Sequence, residues 1–238
     1  MANYENYVPY STALDTTEAV NAIFRKVYQY MAFGLILTAL TAYFTASSRT
    51  MIGLLFSSRV PMIVLCVAEV GLVLFIGAGI NKISASTALV LFLIYSIVNG
   101  LTCSVLLLVY TGESVYKAFI STAGMFGAMS LYGLYTKRDI TTWGSFLMMG
   151  LWGLIIATLI NMFIGSSTTE LVISVLGIII FMGLTAYDTA KIKMMAASYD
   201  SNDENMTGKI AVIGALELYL DFINIFIYLL RIFGSRKN

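Results

Sequence analysis

The sequence predicts an all-α membrane protein, a bundle of seven transmembrane helices with the C-terminal helix central. Three observations lead there. Of the 238 residues, 59% are hydrophobic and only 11% are charged, against about 25% charged in an average soluble domain, so the chain cannot clothe itself in a water-compatible surface. Seven runs are apolar enough to cross a hydrocarbon core about 30 Å thick, which takes about 20 residues of α-helix. The last of these runs keeps its polar residues on one face, and such a face must meet protein or water rather than lipid.

The first run is Val27 to Ala46, closed by Ser47-Ser48-Arg49, and the second is Val60 to Ile80. The charge-free stretch between Lys82 and Glu113 holds the third, placed at Ser84 to Tyr110. The fourth is Val115 to Tyr135, ahead of Thr136-Lys137-Arg138-Asp139. Trp143 to Ile164 is the fifth, and Gly165-Ser166-Ser167-Thr168 divides it from the sixth, Leu171 to Ala190. The polar segment Ser198 to Gly208 precedes the seventh, Lys209 to Phe233. Short connections make successive helices antiparallel neighbours. The chain thus divides into a polar N-terminal tail, 1–26, a transmembrane domain, 27–234, and a short C-terminal tail, 235–238. The first tail lacks the basic start of a cleavable signal. Its Thr16-Thr17-Glu18 is suited to open a short amphipathic helix along the membrane surface.

Lys and Arg concentrate in cytoplasmic loops, which sets orientation. With the N-terminus inside and seven crossings, eight such residues fall on the cytoplasmic side and five on the other. Arg231, Arg236 and Lys237 cause most of the misfit, and a re-entrant last helix would return them to the cytoplasm. The last run is long enough to span, so seven crossings are expected.

Composition also excludes chemistry. With no histidine, neither a Ser-His or Cys-His nucleophile nor a His-containing zinc site can be built, so no enzymatic activity and no cofactor are expected. Cys66 and Cys103 lie in apolar runs and read as small packing residues. A net charge of +1 without a basic cluster argues against nucleic acid as a partner. The partner is the lipid bilayer. A retinal protein would need a lysine in the middle of its last helix, where this chain has Asp221.

Charges inside spans cost about 2.5 to 3.5 kcal/mol each on insertion scales, so each needs a partner, water or a proton. Glu69 lies mid-way along the second span, Asp188 near the end of the sixth, and Glu217 and Asp221 in the seventh. At about 100° per residue, Glu217, Asp221, Asn224, Tyr228 and Arg231 fall within an arc of about 80°. That stripe suits either an ion pathway or a hydrogen-bond ladder that only fixes packing. Asn99 adds a further mid-membrane polar group. Arg231, close to the end of its helix, reads as a snorkelling anchor.

Several strings resemble a known family. Gly183-Leu-Thr-Ala-Tyr-Asp188-Thr-Ala-Lys-Ile-Lys193 and Gly214-Ala-Leu-Glu-Leu-Tyr-Leu-Asp221-Phe-Ile-Asn-Ile-Phe-Ile-Tyr-Leu-Leu-Arg-Ile-Phe-Gly234 look like the last two helices of the transmembrane Bax inhibitor motif (Bax inhibitor-one) family, in its bacterial branch. Gly124 to Gly133, with Thr136-Lys-Arg-Asp139, is similar to that branch's fourth helix and following loop. The resemblance runs from about Tyr28 to Gly234, and its most specific string is Leu-Tyr-Leu-Asp-Phe-Ile-Asn. It implies a seven-helix bundle with a central last helix and a pH-sensitive calcium leak in the bacterial inner membrane. It also implies that Asp188 and Asp221 form a carboxylate pair that senses protons and transiently meets calcium, with Glu69 lining the pore. Some bacterial members place an arginine late in the second span. This chain has Gly77-Ala-Gly-Ile-Asn-Lys82 there, so either Lys82 supplies the cationic latch or the latch is missing.

Calcium and protons are therefore the expected solutes, and Glu69, Asn99, Glu217 and Asn224 the expected pathway, being the oxygen ligands that hard cations take. A proton-coupled transporter would use the same acids, and a non-conducting regulator would instead bind other membrane proteins. Depth arithmetic sits awkwardly with the pair. Asp188 is three residues from Lys191 and Asp221 twelve from Lys209, a mismatch of about 13 Å if both lysines mark the membrane surface.

Overall fold

A computed structural model describes residues 10–138, 140–198 and 203–237. Residues 1–9, Asp139 and the middle of the segment before the last helix, with the readings made on them, lie outside the described residues. Eight α-helices follow in order: α1 (Tyr10–Ser47), α2 (Arg49–Phe56), α3 (Val60–Gly79), α4 (Ala85–Val109), α5 (Gly112–Tyr135), α6 (Thr141–Ile164), α7 (Ser167–Ser198) and α8 (Glu204–Phe233). Among the described residues there is no strand, only an isolated antiparallel bridge between Tyr110 and Arg236.

Each of the seven expected runs lies on its own helix. Six helices, α1, α3, α4, α6, α7 and α8, are long and apolar enough to cross a membrane. The exception is α5, whose first two turns carry Glu113 and Lys117 and whose remainder is rich in glycine, serine and tyrosine. The eighth helix, α2, stands between the first two runs, and the Ser48 hydroxyl caps it by accepting from the Met51 N–H. Eight residues are too few to show a distinct apolar period, which is why the sequence reads there as a loop.

Local chemistry sets the ends. Ser84, Thr111 and Asp203 cap α4, α5 and α8, each side chain accepting a backbone N–H of the first turn. α6 stops at Gly165, whose φ of 70° ends the helix in the left-handed region that glycine adopts without penalty. α1 begins at Tyr10 and runs without a break through the expected boundary at residue 26. Ile23 and Phe24, before that boundary, are buried in the same apolar cluster as Val27.

α8 positions everything else. It packs against α1, α4, α5 and α7, and 72% of its apolar window is buried, where no other span exceeds 39%. Its start lies at the beginning of α4, where the Asn205 Oδ1 accepts from the Ala85 N–H at 3.0 Å. Its end lies at the end of α4, where the Thr111 N–H donates to Ser235 O at 3.0 Å and the Lys237 N–H to Val109 O at 2.8 Å. Between those ends the helix has no turn that would let it double back.

Candidate functional site

The α7–α8 seam gathers the charges. The two helices run antiparallel, with Ile192 against Gly214 at one level and Tyr228 against Gly177 at another. Between those levels Asp221 is buried, 3% exposed. Asp188 and Glu217 lie within electrostatic range of it, and Lys191 is the cation beside them, with the Thr185 hydroxyl at the Asp221 carboxyl. The Lys191 ammonium donates to Glu217 Oε1 at 2.5 Å. Asp221 Oδ2 and Glu217 Oε2 are buried without a hydrogen-bond partner. Three carboxylates, one of them buried and two half-buried, therefore share one lysine, and such a group needs a proton, a cation or a trapped water to balance it.

The depth mismatch has a physical resolution. Lys191 is half-buried as the ion-pair partner of Glu217, and α7 continues beyond it to Ser198, so it does not end its helix as a surface marker would. α8 likewise starts ahead of Lys209, at Glu204. Asp188 and Asp221 can then share a level because neither lysine defines one.

A second polar group lies on the other flank of α8. A cavity of about 370 Å³ between α3, α4 and α8 is lined by Glu69, Tyr95, Asn99, Thr102, Asn224 and Arg231, among apolar neighbours. The Thr102 hydroxyl donates to Glu69 Oε1 at 2.6 Å. Asn99 Oδ1 accepts from the Tyr219 hydroxyl at 2.9 Å, and that hydroxyl meets Thr38 Oγ1 at 2.6 Å. A polar chain thus crosses the bundle from α1 to α3. α3 and α8 do not pack against each other, so the cavity is the gap between them.

The expected pathway residues therefore separate. Glu69, Asn99 and Asn224 share the cavity, whereas Glu217 turns to α7 and Lys191. The expected latch needs correction: Lys82 is exposed in the turn after α3, and the cation at the carboxylates is Lys191. Arg231 is exposed, as an anchor would be, but it also lines the cavity and lies over the Tyr228 ring, 5.6 Å from its centroid. Tyr219, Thr38 and Thr102 were not singled out from the sequence, since hydroxyls in apolar runs are common and nothing in their spacing marks these three. Lys191 carried a signal, because it stands one helical turn after Asp188 on the same face.

Among the described residues no group of three or more His, Cys, Asp or Glu side chains is arranged to hold a metal ion.

Known proteins place this arrangement in a family. The chain is 46% identical over 212 residues to the inner membrane protein YbhL of Escherichia coli strain K12, covering 89% of this chain and 91% of that one. It is 44% identical to an uncharacterised protein of Borreliella burgdorferi, over 92% of this chain and 94% of that one. It is 40% identical to one of Rickettsia prowazekii, over 97% and 100%. Residues 20–238 match the family described as "Inhibitor of apoptosis-promoting Bax1". With long apolar helices, a charged seam beside its most buried helix and these relatives, the chain is an integral membrane protein and belongs to the Bax inhibitor family.

Proposed function

We propose that this protein is a pH-sensitive calcium leak channel whose conducting state follows the protonation of Asp188 and Asp221. The observation that carries this reading is the α7–α8 seam, where three carboxylates share a single lysine and Asp221 Oδ2 and Glu217 Oε2 are buried without partners. Two carboxylates side by side at low dielectric do not readily both ionise, so Asp188 and Asp221 share one proton. That proton ties α7 to α8 by a charge-assisted hydrogen bond. Removing it leaves two anions repelling, and adding a second replaces the bond with a weaker neutral one. Flux therefore depends on pH, with a sign that the physics leaves to measurement.

In this reading seven helices span the bacterial inner membrane, α8 is the central one and the N-terminus is cytoplasmic. The burial of α8 and the 24-residue length of α5 support it, since 24 residues of helix reach about 36 Å. Calcium is cargo, and it passes the oxygen groups of Glu69, Asn99 and Asn224 that line the cavity. Lys191, the cation paired with Glu217, serves as the latch.

The test is calcium flux into liposomes containing the purified protein, between about pH 5 and about pH 8. Asp188→Asn or Asp221→Asn flattens the pH profile, and the double variant adds little because both residues act as one unit. A double variant that keeps the wild-type profile removes the pair as sensor and turns attention to Glu69 and Glu217. Absence of flux at every pH removes the channel itself.

A further inference from the structure

We propose that the groove between α1 and α5 binds one acyl chain of a membrane phospholipid, whose phosphate rests at Lys237. α1 and α5 meet at one end, where the Tyr28 hydroxyl bonds Ser130 Oγ, and stand apart along the stretch from Leu35 to Ala42 and from Gly112 to Phe119. The gap between them, floored by α4 and α8, holds a cavity of about 410 Å³, within the range of about 300–1,000 Å³ typical of small-ligand sites. Its walls include Leu35, Ala39, Leu107, Val115, Phe119 and Phe226. Thr38 also lines it, but its hydroxyl is committed to Gly34 O and Ser96 O, both at 2.9 Å, and to the Tyr219 hydroxyl at 2.6 Å. The thiol of Cys103 is directed to Asn99 Oδ1 at 3.5 Å. The floor thus offers no free polar group, and an occupant must be apolar along its buried length.

Direction and width select the occupant. The groove starts beneath the α4–α5 turn, at Leu107 and Gly112, and follows α1 from Ala42 to Leu35, a descent of about 10 Å at 1.5 Å per residue. Its banks face the bilayer, for Ile36, Leu40 and Tyr43 on α1 and Tyr116 and Ile120 on α5 are large exposed hydrophobics. A partner helix about 10 Å across would need roughly twice the volume over the same length. A single hydrocarbon chain, entering from the helix ends and reaching toward mid-membrane, fits. At the mouth the Lys237 ammonium donates to Leu107 O at 2.7 Å, which leaves it two N–H groups for a phosphate. The nearby Glu113 is occupied by Lys117 at 2.6 Å and does not oppose an anion unpaired.

The experiment reconstitutes the full chain in vesicles of phosphatidylcholine and phosphatidylglycerol. A trace of either lipid carries a photoreactive diazirine mid-chain, and the labelled peptides are mapped. Label is expected to concentrate on the groove-lining residues of α1 and α5, between Leu35 and Ala42 and between Val115 and Phe119. Ala39→Trp fills the groove from an already exposed position, so it lowers that labelling about tenfold without changing label on the exposed face of α6 at Phe146 and Trp152. Val115→Trp does the same from the opposite wall if the first variant fails to fold. Lys237→Gln removes the site's preference for the phosphatidylglycerol probe over the phosphatidylcholine probe. Equal labelling of α6 and the groove, or undiminished labelling of a folded filling variant, overturns the acyl-chain site. A Lys237→Gln protein that keeps the preference overturns the phosphate contact.

Discussion

Lys191 stands three residues after Asp188, so on an α-helix the two side chains are about 60° apart and share a face. Read along the chain, it ends an apolar run; read around the helix, it is a counter-ion. The consequence is measurable. Lys191→Met leaves the Glu217 carboxylate, one of whose oxygens already lacks a partner, without its cation. Breaking a fully buried pair costs about 3–5 kcal/mol, but these side chains are 35% and 25% exposed, so about 1–2 kcal/mol is expected, seen as a lower Tm in detergent micelles. Lys191→Met with Glu217→Leu removes both charges and recovers most of the loss, and a double variant as unstable as the single would show that the pair is not the cause. Tyr219 supplies a second test. Its side chain is fully buried with its ring edge-on to Phe92 and Tyr95, while its hydroxyl joins Thr38 to Asn99. Tyr219→Phe keeps the ring and loses the bonds, which lowers stability by about 1 kcal/mol. An unchanged Tm would mean that the polar chain across the bundle contributes nothing.

Helix α5 is the one long helix without a stretch apolar enough to cross a membrane by composition, and close approach contributes to its hold on the bundle. A Cβ on Gly133 would collide with Ala186 O and come within 2.9 Å of the Thr189 Cβ on α7, whereas one on Gly127 would meet nothing within 4 Å. Beside this contact Ser130 Oγ meets Thr189 Oγ1 at 3.1 Å and also bonds the Tyr28 hydroxyl of α1. Small residues let helix backbones meet where hydrophobicity cannot drive association. Gly133→Ala should therefore lower stability by about 1–3 kcal/mol through overpacking. Gly127→Ala in the same helix should be neutral or gain up to about 1 kcal/mol from helix propensity. Thermal unfolding of both variants in micelles checks this, and equal effects would refute close packing at Gly133. Element boundaries were legible where a run ended in a cap or a left-handed glycine. α2 was not, because eight residues carry too little periodicity, and the continuity of α1 back to Tyr10 was hidden by polar residues that a helix accepts as readily as a tail.

For the whole molecule, the paired ends of α4 and α8 bear on topology. α8 runs beside α4 from Ala85 to Val109 and ends against the α4–α5 turn. With seven helices alternating, the two termini lie on opposite faces of the membrane. A tag after Asn238 is then accessible from outside the cytoplasm, and one before Met1 only from within. Two cytoplasmic tags would overturn the seven-crossing topology, because α4 and α8 run parallel with both their starts and their ends paired.

Composition alone placed this chain in lipid, and the positions of its apolar runs and caps located all seven long helices, because both depend on residues close together in sequence. The acids were visible for the same reason: a charge inside an apolar run stands out wherever its partner lies. Pairing was decided only by tertiary structure. Which cation serves the carboxylates depends on the register of α7 against α8, so that Lys191 and not Lys82 meets Glu217, and single-helix periodicity carries no information about register between helices. The stripe on α8 divides between two neighbours for a similar reason: an arc of about 80° is wide enough for Glu217 and Asp221 to meet α7 while Asn224 faces the gap toward α3. That gap, and the groove between α1 and α5, exist where two pairs of helices part along their length, and where helices part is a property of the assembled bundle alone.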